Sequence, residues 1–262
     1  MQSIDMLGAL HALANQADEI ALKFFNQASL YVSQKSDMSP VSEADLGIEM
    51  MIKREASALF PGVEVWGEEF GLQNPEAPLK LIVDPIDGTR NFVRGIPLFA
   101  TLLAIQSGDE IVAGVVSAPA LHERWCAAKG YGAWQNGREM RVSDGAVLAQ
   151  AQVFHGSLYG NECETLPLSE MLQILSHTQR QRGLGDFYSH VLVAQGAGEF
   201  ALDFGLKPWD IAPLKIIVEE AGGKLTNLDG QFSLENPNVL TSNFHLHEVV
   251  LGYFQKNSEK IG

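Results

Sequence analysis

Leu7, Leu10, Ala14, Ala17, Ala21 and Phe24 recur at alternating steps of three and four residues, the spacing that gathers apolar side chains on one face of an α-helix. The opening segment therefore reads as an amphipathic helix packed on the body of the protein. A second helix is expected after Ser42, where Ser42-Glu43-Ala44-Asp45 has the form of a capping box. It carries Ile48, Ile52, Ala56 and Leu59 inward until Pro61-Gly62 stops it. The period then shortens. Val63 to Trp66, Leu79 to Val83, Phe99 to Gln106, Ile111 to Ala118 and Arg124 to Ala128 are short apolar or alternating runs that read as strands, with Ser107-Gly108-Asp109-Glu110 as a hairpin connection.

Beyond a turn at Asn136-Gly137 the pattern is mixed. A strand is expected near Gln152 to Ser157, and helices near Leu168 to His177 and Tyr188 to Gln195. A last long helix begins around Trp209-Asp210, turns Ile211, Leu214, Val218 and Ala221 inward and stops at Gly222-Gly223, with Pro213 assigned to its first turn. Helices and strands in blocks, without regular βαβ alternation, favour a layered α+β fold over a Rossmann or TIM arrangement. A soft division near residue 145 separates an N-terminal α+β half, 1–145, from a C-terminal half, 146–262.

Composition sharpens this reading. With 262 residues, 46% of them hydrophobic, the chain can bury a substantial core. Its formal charge of −14 argues against a nucleic-acid partner, whose backbone is bound by lysines and arginines that displace counterions. No apolar run reaches the ~18 residues of a membrane span, and the start of the chain, with Asp5 and no basic cluster, lacks the pattern of a secretory signal. A cytoplasmic protein is expected. Cys126 and Cys163 have neither metal-site nor redox spacing and read as unpaired thiols. An acidic protein can still bind an anion when a divalent cation inverts the local field.

Leu81-Ile82-Val83-Asp84-Pro85-Ile86-Asp87-Gly88-Thr89 supplies such a place: an apolar strand runs into two acids three residues apart at what reads as a tight turn. Asp84 stands at the strand end, Pro85 removes a backbone donor, and Gly88 allows close approach of the backbone to an anion. Each acid also has an ordinary reading. Asp84 and Asp87 suit a turn, Glu68 and Glu69 in Trp66-Gly67-Glu68-Glu69 suit solvent, Asp210 suits an N-cap, and Asp45 completes the Ser42 box.

Taken together and in this order, the Asp45 helix start, the Gly-Glu-Glu, the Asp-Pro-Ile-Asp-Gly-Thr and the Trp-Asp before a Gly-Gly-ended helix resemble the inositol monophosphatase superfamily, across about residues 30 to 225. The resemblance implies a layered αβαβα sandwich of the inositol monophosphatase and fructose bisphosphatase type, and Mg²⁺-dependent, lithium-sensitive hydrolysis of a phosphate monoester. It implies Glu68, Asp84 and the Ile86 carbonyl as ligands of one Mg²⁺, Asp84, Asp87 and Asp210 as ligands of a second, and Glu68 as holder of a weaker third. Mn²⁺ stays open as the ion. Thr89 and Glu68 would orient and deprotonate the attacking water, with Asp45 holding Thr89. The amides of Gly88 and Thr89 would meet phosphate, and Lys35 would lie near the site. The family also suggests a homodimer.

Further stretches, Gly88 to Pro97, Val115 to Ala120 and Gly185-Asp186-Phe187-Tyr188, resemble the histidinol-phosphatase branch. That branch implies L-histidinol phosphate as substrate, in histidine biosynthesis. Its ammonium and imidazole suit acidic contacts, for which Asp186 and Asp203 are the candidates. Arg90 and Arg94 are open between phosphate, a partner subunit and surface acids. The rivals are inositol monophosphate, a 3'(2'),5'-bisphosphate nucleotide or a sugar bisphosphate as substrate, and, from another class, an inactive metal- or phosphate-binding regulator. The intact set Glu68, Asp84, Asp87, Thr89 and Asp210 argues against that last reading.

Overall fold

Along β4 (Leu79–Asp87), β5 (Ala100–Ser107) and β6 (Glu110–Ala118) almost every side chain is buried, so both faces of these strands must be covered. The computed structural model, which describes residues 2–27, 31–34, 40–158 and 166–255, shows by what. Leu81, Val83, Leu103, Ile105 and Val115 pack with α1 (Ser3–Phe24) and α2 (Glu43–Leu59). Their strand neighbours Ile82, Leu102, Ala104 and Val116 point the other way, into α5 (Asp186–Ala194) and α6 (Pro208–Glu220).

Among the described residues these strands belong to a seven-stranded sheet in the order β3-β4-β5-β6-β7-β8-β9, completed by β3 (Glu64–Gly67), β7 (Glu123–Ala128), β8 (Ala133–Gln135) and β9 (Arg138–Met140). It is antiparallel except where β3 runs parallel to β4. Asn136 and Gly137, both with positive φ, close the β8–β9 hairpin at the expected turn. A two-stranded ribbon of β1 (Val32–Gln34) and β2 (Pro40–Ser42) precedes α2.

A five-stranded sheet in the order β11-β10-β12-β14-β13 covers the far side of α5 and α6. Its strands are β10 (Gln152–His155), β11 (Arg180–Gly183), β12 (Phe200–Asp203), β13 (Lys224–Asn227) and β14 (Val239–Ser242). Val153, Phe200 and Leu202 face an outer layer of α4 (Leu168–Ser176) and α7 (His247–Gln255), while Phe154 and Ala201 face α5. The layers thus run helix, sheet, helix, sheet, helix, as expected. Within the described residues no helix is long and apolar enough to cross a membrane.

Three local expectations need correction. The C-terminal half does contain alternation, β10-α4-β11-α5-β12 with parallel pairing. It is hard to see in sequence because β11 is a polar, largely exposed edge strand and β12 has four residues. Helix α5 begins at Asp186, two residues earlier than its apolar pattern. Helix α6 begins at Pro208, so Pro213 falls in its second turn. The helix tolerates the lost N–H where it rides directly on β6: a Cβ added at Gly114 would lie 2.7 Å from Ile216 Cγ2 and 3.0 Å from the Pro213 carbonyl oxygen.

Candidate active site

Two acids three apart on a regular strand point to opposite faces. In β4 they do not, because the register shifts between them: Asp84 pairs with Leu102 and Asp87 with Ala100, so three steps on β4 span two on β5. The segment read as a tight turn is therefore the bulged end of a strand, and the chain turns only at Gly88, with φ of 79°. Pro85 suits the bulge because it has no N–H to leave unpaired, and its carbonyl accepts from the Thr101 hydroxyl at 2.8 Å. Ile86 sends its side chain into the α1/α2 core. Carboxylate oxygens of Asp84, Asp87 and Asp210 all lie within 4.8 Å of one another.

Backbone amides orient these acids. Asp87 Oδ2 accepts from Phe187 N–H, in the first turn of α5, at 2.7 Å. Asp210 Oδ2 accepts from Lys207 N–H at 2.7 Å, so Asp210 is not the N-cap of α6 but caps it from the third helical position. Each thereby keeps its second oxygen for another partner. Glu68 follows β3 and donates its own N–H to the Val83 carbonyl at 3.2 Å, which brings it beside Asp84. Gly88 is obligatory on two counts, its positive φ and the Leu98 carbonyl oxygen that would sit 2.9 Å from an added Cβ.

A cleft of about 460 Å³ gathers Glu68, Asp84, Ile86, Asp87, Gly88, Thr89, Arg90, Arg94, Asp186, Asp203 and Asp210. A larger cavity, about 570 Å³, lies beside α1, β6 and β7 and holds none of them. Arg90 and Arg94 are exposed at the cleft rim. Asp45 is buried in its capping box, its Oδ2 accepting from the Ser42 N–H at 2.8 Å and hydroxyl at 2.6 Å. The single hydroxyl proton of Thr89 goes to the Ile86 carbonyl at 2.9 Å, so the expected arm from Thr89 to Asp45 is not made here. Lys35 and Cys163 lie outside the described residues.

Asn91 was not anticipated. Its amide donates to the Leu98 carbonyl at 2.9 Å and to Asp186 Oδ2 at 3.2 Å, tying the loop after β4 to the start of α5. His155 and Lys207 also line the cleft. His155 lies outside every motif, and Lys207, two residues before the Trp209-Asp210 motif, orients Asp210 through its backbone, which side-chain chemistry does not announce.

Burial, reinforced by the facing acids, holds Asp84 and Asp87 well above the usual carboxylate range. Burial pushes Asp210 up to about 7, with Glu68 and Asp186 adding to it, and Asp203 up to about 8, with Asp186 adding most. Asp84 Oδ1 is buried without a hydrogen-bond partner. Carboxylates crowded at this distance, with one oxygen orphaned, fit a hard divalent cation, and an all-oxygen donor set fits Mg²⁺ rather than structural zinc.

These shifts set a pH dependence. A carboxyl whose folded pKa is raised contributes stability that is fully present below its unfolded value, about 4, and lost as pH rises through the folded one. The metal-free protein is therefore expected to melt at progressively lower temperature from about pH 5 to about pH 8.5, and Mg²⁺ to flatten that slope. Thermal melts in EDTA and in Mg²⁺ measure both, and a metal-free Tm that climbs over this range contradicts the assignment.

The sandwich and its carboxylate cleft define a metal-dependent phosphatase of the layered α+β class. More narrowly, the chain belongs to the inositol monophosphatase family, whose model matches residues 5–259. The family is metal-dependent. The chain is 38% identical to the histidinol-phosphatase of Streptomyces coelicolor, over 97% of its own length and 98% of the other's. It is 39% identical to that of Mycobacterium tuberculosis, over 96% and 98%. Among solved structures, the Thermotoga maritima IMPase superposes with a TM-score of 0.86 at 32% identity, covering 98% of this chain and 100% of that one.

Proposed function

We propose that this protein is a Mg²⁺-dependent histidinol-phosphatase, converting L-histidinol phosphate and water to L-histidinol and phosphate. The observation that carries the reading is the pair Asp186 and Asp203, which line the same cleft as Asp84, Asp87 and Asp210 but are not part of their carboxylate cluster. Carboxylates also accept from the hydroxyls of a neutral polyol, but an ammonium and an imidazolium gain charge pairing as well as hydrogen bonds from two further acids. The near full-length likeness to two histidinol-phosphatases supports the same substrate.

Glu68, Asp84 and the Ile86 carbonyl would hold one Mg²⁺ and Asp84, Asp87 and Asp210 a second, with a weaker third at Glu68. The chemistry such ions supply when bound is stabilisation of charge on the attacking and leaving oxygens and a lowered pKa for water. Thr89 Oγ1, its proton held by Ile86, presents lone pairs that orient the attacking water, and Glu68 takes the proton. Asp45 holds the capped start of α2 through Ser42 and makes no bond to Thr89, so no step is routed through it. The amides of Gly88 and Thr89, at the start of the short helix Thr89–Phe92, lack intrahelical acceptors and receive phosphate oxygens. Asp203 and Asp186 hold the cationic end, and the departing alkoxide takes up a proton from solvent to leave as the aminoalcohol. A homodimer goes with this reading and is checked by light scattering.

The deciding experiment is kcat/KM over a panel of phosphate esters, with and without Mg²⁺ and with added lithium. Histidinol phosphate is expected to lead, with lithium inhibiting. Preference for inositol phosphate or a bisphosphate would move the protein elsewhere in the family. Thr89→Ala is expected to lower kcat more than it raises KM, because a positioned water matters in the transition state and not in ground-state binding. A changed KM with intact kcat would reassign Thr89 to phosphate.

A further inference from the structure

Glu49 is a fully buried acid in the middle of α2, outside every motif described above. Both of its carboxylate oxygens are engaged by one turn: Oε2 accepts from Glu69 N–H at 2.8 Å and Oε1 from Phe70 N–H at 3.1 Å. That turn, Gly67 to Gly71, carries Glu68. It is closed by Gly71 N–H to the Gly67 carbonyl at 3.0 Å and fastened to β4 by Glu68 N–H to the Val83 carbonyl. Gly67 has no room for a side chain, since a Cβ there would run into the Glu49 carboxylate. Lys53, one helical turn on, sits 4.0 Å from Glu49 Oε1 and 4.6 Å above the Phe70 ring, closing a clamp over the turn.

We infer that Glu49 is a positioning residue for the cation site, fixing the turn that presents Glu68 to the cleft. A buried carboxylate satisfied by two amides of one loop costs more to misplace than a surface contact, and it leaves that loop few alternatives. The inference rests on the metal reading above. Loss of a supporting hydrogen bond behind a metal ligand typically costs ~10- to 100-fold in metal affinity.

Calorimetric titration of MgCl₂ into the free protein tests this without substrate. Glu49→Gln, which turns a donor toward one of the amides, is expected to weaken Mg²⁺ binding at least ~10-fold. Glu49→Asp keeps the charge but withdraws it by one methylene, and gives the same result if Glu49→Gln does not fold. Ile52→Val, in the same helix and core, is expected to lower Tm and leave Mg²⁺ binding alone. Parent-like Mg²⁺ affinity in the Glu49 variants overturns the inference, as does an equal loss in Ile52→Val. Absence of Mg²⁺ uptake by the parent overturns the metal reading and this inference with it.

Discussion

Asp87→Asn and Asp210→Asn should each lower kcat by about 100-fold or more at saturating Mg²⁺, while the metal-free variants melt no lower than the parent. The two effects have one cause. Each substitution deletes a charge from a cluster whose members burial and mutual repulsion already hold above the carboxylate range, so the apo fold is relieved as the cation site is lost. The asparagine carbonyl can still accept from Phe187 or Lys207, the amides that hold these side chains now. If the acids served only as caps, activity would survive both changes. Steady-state kinetics across Mg²⁺ concentrations, paired with melts in EDTA, separate the cases, and near-normal turnover in both variants would sink the two-cation assignment.

Substrate choice gives the second large effect. Asp203 is 4% exposed, with Oδ2 turned toward the buried His190 Nε2 at 3.9 Å, so a substrate cation held by its carboxylate would form a largely desolvated pair, and truncating one side of such a pair costs about 2 to 5 kcal/mol. Asp203→Asn is expected to depress kcat/KM for histidinol phosphate roughly 30-fold or more. Asp186 is half-buried and braced by Asn91; Asp186→Asn should act in the same direction but less. Hydrolysis of inositol phosphate, which offers no cation, should change little in either variant. Equal loss on both esters would remove the aminoalcohol from the assignment and leave the family.

Much of this was readable before any coordinates. Helices α1 and α2 and the central strands announce themselves because each buries a continuous stripe or a full run of apolar residues, as Leu10 to Phe24 and Leu102 to Ile105 show. The acids of the cleft were readable as a set because motif order carries them. What escaped was decided by backbone. The bulge that brings Asp84 and Asp87 to one face needs strand pairing across to Thr101 and Leu102. The hydrogen bonds of Asn91 and Lys207 reach carbonyls and amides that no side-chain pattern encodes. Edge strand β11 is polar and therefore silent, and the Thr89 hydroxyl chose a carbonyl three residues back over the acid expected for it.

The central helices α5 and α6 are packed from both sides, and the two sheets meet the cleft with different cargo. The seven-stranded sheet delivers Asp84, Asp87 and the Glu68 turn; the five-stranded sheet delivers Asp203 at the end of β12. Hydrogen bonds from the Asn91 amide to Asp186 and from the Phe187 N–H to Asp87 tie the end of β4 and the short helix after it to the start of α5, the helix packed between the sheets. On the proposed assignment, the acid that would grip the leaving alcohol and those that would hold the cations stand on different elements, so substrate choice can drift while the cation site stays as it is, and relatives with unlike substrates are what such a divided floor plan would generate.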